Sequence, residues 1–371
     1  TSRRVLRAPR RVACAAPVRR MAASSCRGAT SRASPAAACV AAAGGIALAL
    51  SPVWCAFRGD DFALDARVEH FFLTNDPPAH LESARADMAR FVAAQVRAGR
   101  KVALVTSGGT TVPLERNTVR FIDNFSTGSR GARSCEELLK LGYAVIFLHR
   151  EKSVRPYRRL FDRFANDLDL HVAVSSTTPG GAAGGGRGGD VGVRVLSMDT
   201  EVREAILARR AARERGLLLE VPFVTIGDYL HLMRAGAQAV APAGRNAMVY
   251  LCAAVSDFFV PQEDMAVHKI QSKGGSGTLE LTLQPVPKML GYVRHLWCPD
   301  ALSVSFKLET DEALLLKKAR ASVASYGMHA VLANQLQRRM DEIHVVTASG
   351  ATLVRKAAAQ RCLEEAFVPR V

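Results

Sequence analysis

The segment 102-VALVTSGGTTVPLERNTVRFIDNFSTGSRGARS-134 carries two glycine loops from which the rest of the chain can be placed. Residues 102–105 are all apolar, two of them β-branched, as suits a strand buried on both faces. Residues 106–110 follow as a turn in which Gly108 and Gly109 let the backbone approach a ligand without a Cβ in the way. A second apolar piece at 119–122 ends at Asp123 and Asn124, and then Ser126, Gly128 and Gly131 lead into helical spacing over 132–141. Residues 143–148 read as the next buried strand. The order is strand, glycine loop, second glycine loop at a helix start, helix, strand. It offers two sets of backbone N–H groups, one at a helix N-terminus, where a phosphate chain could lie.

Neither common phosphate signature is present. No Gly-Lys-Ser/Thr ending follows the first loop, and Gly128-x-x-Gly131 stands well downstream of Gly108-Gly109 instead of forming Gly-x-Gly-x-x-Gly. On spacing alone, a nucleotide-binding loop and the tight turns of an ordinary α/β domain both remain open.

Upstream, 81–98 has a helical rhythm closed by Gly99, and it feeds directly into the 102 strand. Downstream, helical pattern returns at 200–215 and 226–239, with Asp228 as an early acid, and a strand is expected at 217–224. Further strands are expected at 249–255, 278–283, 301–308, 329–333 and 342–347. Helices are expected at 313–326, behind the acidic cap 310–312, and at 355–365. Strands alternate with helices nearly throughout, so the expected fold is α/β, a mostly parallel sheet covered by helices on both faces. Ser256 and Asp257, and likewise Asn334, fall at carboxyl ends of expected strands, where open sheets bind ligands.

The chain of 371 residues carries a net charge of +16, but residues 1–58 hold ten Arg and no acid, leaving +6 for the rest. Charge confined to a tail argues against nucleic acid as a partner. That Arg/Ala-rich extension reads either as an organellar transit segment or as low-complexity sequence outside the folded part. Its apolar 39–57 stretch is broken by Gly44, Gly45 and Pro52, so no stable membrane association is expected. The folded domain is placed at 59–371, with a glycine-rich insertion at about 178–190. The basic run at 151–164 could meet a phosphorylated partner or simply be a solvated face.

The cysteines of the folded part, Cys135, Cys252, Cys298 and Cys362, form no Cys-x-x-Cys pair, which argues against a zinc site and a disulfide framework. Cys252 lies inside a strand and reads as packing rather than a nucleophile. No Gly-x-Ser-x-Gly elbow or His-Glu-x-x-His motif occurs. What remains is phosphate handling: glycine loops, a helix N-terminus, and the lysines of the loop MAVHKIQSKGGSG at 265–277.

Seven separated blocks together resemble the eukaryotic phosphopantothenate–cysteine ligase family. They are TSGGTTVPLERNTVRFIDNFSTGSRGA at 106–132, DYLHLMRAGAQA at 228–239, YLCAAVSDFFVP at 250–261, HKIQSKGG at 268–275, QPVPKML at 284–290, SFKLETD at 305–311 and ANQL at 333–336. The resemblance spans roughly 80–350 and leaves out the N-terminal extension and the glycine-rich insertion. It implies a Rossmann-like fold with a small dimerisation element, a homodimer, a cytoplasmic enzyme (organellar if the extension is a true transit segment), and use of ATP, with CTP as the bacterial variant, together with Mg²⁺. The implied reaction joins 4′-phosphopantothenate to cysteine through an acyl-nucleotide in coenzyme A biosynthesis. The flavin-dependent decarboxylase fused to bacterial relatives is not seen in residues 1–100.

By the same resemblance, Gly108, Ser126, Gly128 and Gly131 should cradle the nucleotide phosphates. Ala253, Ala254 and Asp257 should lie along the nucleotide, Phe306 by the base and Asn334 near the substrate or ribose. Asn124 resembles the residue that stabilises the acyl-nucleotide, and Lys269 the one that neutralises charge developing on phosphate. Against these stand plainer roles: Asn124 as a turn cap, Phe306 as core, Lys269 and His268 as exposed side chains. A binding-only relative of the same fold remains the alternative. A nicotinamide oxidoreductase lacks both its glycine spacing and a Tyr-x-x-x-Lys.

Overall fold

The computed structural model describes residues 65–159, 172–176, 191–195, 200–271 and 278–371. The Arg/Ala-rich extension, the glycine-rich insertion, residues 160–164 of the basic run and Lys273 with its neighbouring glycines lie outside the described residues. In chain order the strands are β1 (Val102–Ser107), β2 (Thr111–Pro113), β3 (Phe121–Asp123), β4 (Ala144–Arg150), β5 (Val172–Ser176), β6 (Val191–Val195), β7 (Leu218–Phe223), β8 (Ala247–Leu251), β9 (Phe258–Phe259), β10 (Gln284–Pro285), β11 (Leu302–Glu309), β12 (Ala330–Gln335), β13 (Glu342–Thr347) and β14 (Gly350–Arg355). The longer helices are α1 (Ala66–Thr74), α2 (Leu81–Arg97), α3 (Ser129–Lys140), α4 (Thr200–Glu214), α5 (Ile226–Val240) and α6 (Glu312–Tyr326).

One sheet runs in the order β14-β13-β12-β11-β8-β1-β4-β7. The six strands from β12 to β7 are parallel, and β13 and β14 add an antiparallel edge. The chain winds outward from β1 through β4 to β7, then crosses to the other side for β8, β11 and β12. That order is the doubly wound, Rossmann-like one, and its switch point lies between the carboxyl ends of β1 and β8.

Alternation along β1 explains why it sits at the centre. Val102 and Leu104 enter the core shared with Met88 and Val92 of α2 and Leu230 and Met233 of α5. Ala103 and Val105 face the other way, against Ala132, Cys135 and Leu138 of α3. All six residues of β1 are buried, and each full-sized apolar side chain so placed contributes on the order of 1.5–3 kcal/mol. Helix ends follow the expected chemistry. Thr225 and Asp228 form a reciprocal capping box at the start of α5, and Asp311 caps α6 by accepting from the Leu314 N–H. Past α2, Gly99 adopts the left-handed conformation with φ +67°.

Several expectations are corrected. Residues 278–283 belong to no strand, because no neighbouring strand offers them a ladder. The helix expected at 355–365 is confined to Glu364–Phe367, and Arg355 instead ends β14. A turn at Ala348-Ser349 folds β14 back on β13, pairing Glu342 with Arg355. The strand expected at 249–255 is β8, which begins and ends earlier, so Ala253, Ala254 and Asp257 lie in the loop beyond it. The 119–122 piece becomes the short, exposed β3 of a hairpin with β2. α3 starts a turn earlier than its spacing suggests, placing Gly131 inside the helix. Among the described residues no helix is long and apolar enough to cross a membrane. β5 and β6 pair antiparallel with Ser176 opposite Val191.

Candidate active site

The loops that follow β1 and β8 are joined across the switch point by main-chain hydrogen bonds. The Ala254 N–H donates to the Gly108 carbonyl at 2.8 Å, and the Ala254 carbonyl accepts from the Thr110 N–H at 3.1 Å. Thr106 Oγ1 accepts from the Ala253 N–H at 3.2 Å, and Thr110 Oγ1 from the Ser256 N–H at 3.0 Å. The N–H groups of Ala253 and Ala254 are therefore spent on the protein. Whatever these two residues give a ligand must come from their methyl groups and carbonyls. Gly108 holds φ +90°, and a Cβ there would stand 2.7 Å from the Arg150 Cβ, so both conformation and space require glycine.

Asn124 leaves the end of β3 and folds over this junction. Its Nδ2 donates to the Ala254 carbonyl at 3.3 Å, and its N–H donates to the Thr110 carbonyl at 3.2 Å. Beneath it, the space for a Cβ on Gly109 is filled by the Asn124 carbonyl oxygen, 1.9 Å away. Glycine at 109 is thus what lets the asparagine reach the crevice. Arg150 at the end of β4 steadies the same hairpin through both Asp123 carboxylate oxygens, at 2.7 and 2.9 Å.

Gly128 caps α3 in the left-handed conformation with φ +79° and supplies no side-chain acceptor to the helix's first turn. Such a turn leaves N–H groups and the positive end of the helix dipole for an anion. Ser126 Oγ accepts from the Gly128 N–H at 3.4 Å, shaping the entry to that turn. Gly131 also serves the packing. A Cβ there would lie 2.4 Å from Ser107 Oγ, so its lack of a side chain brings α3 against the end of β1. Ser107 Oγ in turn donates to the Gly128 carbonyl at 2.9 Å.

Lys269 is exposed and lies on a segment laid along the hairpin turn between β2 and β3. Two main-chain bonds hold this segment, Arg116 N–H to the Ala266 carbonyl at 2.9 Å and Asn117 N–H to the Val267 carbonyl at 3.1 Å. Glu115, completely covered, accepts from the N–H groups of Val119, Arg120 and Ile270 and from Arg120 Nη1. The Arg120 N–H is the largest cause holding its carboxyl down at about 2, although burial acts in the opposite direction. The carboxylate is covered by its own surface loop rather than by the central core, so solvation outside that loop is close at hand.

Asp257 stays exposed beyond β8, and Lys288 donates to it at 2.7 Å, holding its carboxyl below the usual range. Phe306 packs edge-on to Tyr250, ring centres 5.1 Å apart, with part of its ring left accessible. Asn334 is buried and donates Nδ2 to the Glu342 carbonyl at 2.9 Å, tying β12 to the β13 turn. Burial pushes the Cys252 thiol up to about 12, which keeps it protonated and fits packing rather than nucleophilic work. The trio Glu137, Cys362 and Glu365 is spaced to hold a metal, but it joins the second half of α3 to the C-terminal segment, away from the start of α3.

Of the residues that the resemblance assigns to the nucleotide and acyl-nucleotide, Gly108, Asn124, Ala253 and Ala254 meet at the loops beyond β1 and β8, with Ser126 and Gly128 at the start of α3 beside Ser107. Sequence reasoning missed Gly109 as the residue under Asn124, the Asp123–Arg150 clamp, and Glu115. It also missed Lys307, half-buried one residue after Phe306 with no hydrogen-bond or ion-pair partner among the described residues. Lys288 stood in the quoted QPVPKML block, and its proximity to Asp257 depends on a 31-residue separation that no local pattern encodes.

Comparison with known proteins places these features. The family described as DNA/pantothenate metabolism flavoprotein C-terminal domain matches residues 231–366. Phosphopantothenate–cysteine ligase 2 of Oryza sativa is 44% identical over 307 residues, covering 81% of this chain and 90% of the relative. The human phosphopantothenate–cysteine ligase is also 44% identical, over 271 residues, covering 71% of this chain and 82% of the relative. Among solved structures, a Cab2 variant with a histidine-to-alanine substitution superposes with a TM-score of 0.71 at 38% identity, covering 81% of this chain and 94% of that one. The same variant in complex with phosphopantothenate-cysteine gives a TM-score of 0.68 at 37% identity, covering 80% and 94%.

Proposed function

Because the chain belongs to the phosphopantothenate–cysteine ligase family, we propose a reaction course for it in which 4′-phosphopantothenate is activated by a nucleoside triphosphate before cysteine is joined. The chain is a ligase of coenzyme A biosynthesis. In the first step a carboxylate oxygen of the substrate attacks the α-phosphorus of the nucleotide. The bond between the α- and β-phosphates breaks, and pyrophosphate leaves. In the second step the cysteine amine attacks the acyl carbon of this mixed anhydride, the nucleoside monophosphate departs with the acyl oxygen, and the amine nitrogen gives up a proton.

Two anions must meet in the first step, so donors and positive charge have to offset their repulsion. The N-terminal turn of α3 behind Gly128 meets the polyphosphate, and Asn124 Nδ2 turns from the Ala254 carbonyl to the acyl phosphate. Lys269 supplies mobile positive charge from the facing segment, and Phe306 and Asn334 border the base and ribose. ATP is the nucleotide proposed, CTP the other candidate. Among the described residues Mg²⁺ finds no vacant carboxylate pair at the crevice, since Asp257 is held by Lys288 and Asp123 by Arg150. The residues present therefore do not fit a dedicated metal site, and no step is routed through the ion, which would arrive on the nucleotide phosphates.

A homodimer is proposed as well. Supporting it, the β2–β3 hairpin exposes Val119, Phe121 and Ile122, and Phe125 beside Asn124 is 93% exposed, an apolar surface adjoining the crevice. Sedimentation equilibrium tests this, with a monomer at micromolar concentration as the contrary result.

The observation that carries the reading is the meeting of Asn124, Gly108 and Ala254 at the switch point. The experiment is pyrophosphate release from phosphopantothenate and ATP or CTP, with and without cysteine. Stoichiometric pyrophosphate without cysteine establishes the activated acyl intermediate, and the preferred nucleotide is read from the same assay. Silence with both nucleotides from a folded protein would instead favour a binding-only relative.

A further inference from the structure

Glu115 is a carboxylate that the reaction course leaves without a task, although it is wholly excluded from solvent. Removing an ionised carboxylate from water is costly unless its oxygens are filled by donors. Here they are filled from two directions. Oε2 accepts from the N–H groups of Val119 at 3.2 Å and Arg120 at 2.9 Å, both on the hairpin turn. Oε1 accepts from Arg120 Nη1 at 2.9 Å and from the N–H of Ile270 at 3.4 Å, the residue next to Lys269. Arg120 then reaches past the carboxylate and donates to the Ile270 carbonyl at 3.0 Å. The carboxylate thus bridges two segments about 150 residues apart in sequence, one ending at Asn124 and the other carrying Lys269.

We propose that Glu115 is a positioning residue of the ligase. Its carboxylate clamps the 266–270 segment to the β2–β3 hairpin, so that Lys269 and Asn124 are presented to the same acyl phosphate. The inference rests on the assignment of Lys269 as a catalytic residue. The physical need is clear. A lysine side chain is long and rich in rotamers, and a freely moving backbone beneath it would add further freedom to be lost at the reacting phosphate. A misplacement of about 1 Å in a reacting constellation costs on the order of 100-fold in rate. Two main-chain bonds at Ala266 and Val267 fix the near end of the segment. Glu115 and Arg120 fix the far end, on the residue adjoining the lysine.

Glu115→Gln tests this, because a carboxamide must turn its NH₂ toward one of two pairs of N–H donors. Hydrogen exchange followed by mass spectrometry should show residues 264–271 exchanging at least about tenfold faster, with peptides from β1 and α3 unchanged. With saturating nucleotide, kcat for pyrophosphate release should fall about 30- to 100-fold while the KM for nucleotide stays within about twofold. The Glu115→Gln/Lys269→Ala double variant should be no slower than Lys269→Ala alone, since Glu115 acts through the lysine. Unchanged exchange at 264–271, or losses that multiply in the double variant, would overturn the proposal. Full turnover by Lys269→Ala strikes the lysine assignment and the catalytic half of the proposal with it, whereas unchanged exchange strikes the clamp alone. Should Glu115→Gln fail to fold, Ile270→Pro removes the N–H that the carboxylate receives and leaves the hairpin untouched. The same local release and the same fall in kcat are expected, and tight exchange with normal kcat in that variant would overturn the proposal.

Discussion

The carbonyl oxygen of Asn124 occupies the position where Gly109 would carry a Cβ, 1.9 Å away. No side-chain rotation can relieve this contact, because the obstacle is main chain. Gly109→Ala is expected to push the end of β3 off the switch point and lower kcat at least about 100-fold. Gly142→Ala is the control: its φ is +84° and nothing lies within 4 Å of the added Cβ, so it should cost about 1 kcal/mol in stability and leave kcat alone. Thermal unfolding and pyrophosphate release measured on both variants separate a lost crevice geometry from a general loss of stability.

Gly131→Ala should destabilise the protein by about 1–3 kcal/mol, since the new methyl meets Ser107 Oγ at 2.4 Å and Ser107 Cβ at 2.6 Å. Ser107→Gly in that background removes both obstacles and should recover most of the loss, even though Ser107→Gly alone gives up the bond to the Gly128 carbonyl. Denaturant unfolding of the two single variants and the double variant reads the sign of the coupling. Simple additivity would mean that α3 shifts away freely.

Asn334→Ala should cost about 1–3 kcal/mol, because the Glu342 carbonyl loses a buried donor. Its effect on nucleotide KM is a separate question, answered by titration at a temperature well below the lowered unfolding midpoint. A stable Asn334→Ala protein would mean that water replaces the amide between β12 and β13.

Acid should reveal the Glu115 clamp. Its carboxyl sits at about 2 in the folded chain against an ordinary value of 4.5, so its stabilisation is complete above about pH 4.5 and lost as pH falls toward 2. The difference in thermal midpoint between the native protein and Glu115→Gln should therefore be constant from pH 7 down to about 5 and narrow below 4.5. A difference that widened on acidification would reverse the assigned sign.

Much of this was readable from local pattern. The stretch from β1 to β4 declares itself because its apolar runs are bounded by glycines, and the central strand is buried on both faces whatever surrounds it. Gly108 and Gly128 were legible as glycines, since each adopts a positive φ that a turn requires. Gly109 was legible only as part of a loop, because its reason lies across space at Asn124. Glu115 resembled any charged loop residue, and its burial depends on Ile270 arriving from 155 residues away. β14 was hidden by composition: four of its six residues are exposed before Val354 turns inward, so alternation with a core gave no signal. Residues 278–283 show the converse, an alternating pattern that lacks a partner strand and so stays out of any sheet.

The pairing of Ser176 with Val191 has a practical consequence. Strands β5 and β6 close the gap between the two ends of the intervening stretch, so closure entropy grows only slowly with its length, about 0.6 kcal/mol per doubling. Deletions or an epitope placed between residues 176 and 191 should leave the β5–β6 ladder in place. The paired strands are thus a place to which a label can be joined at the cost of little more than chain length.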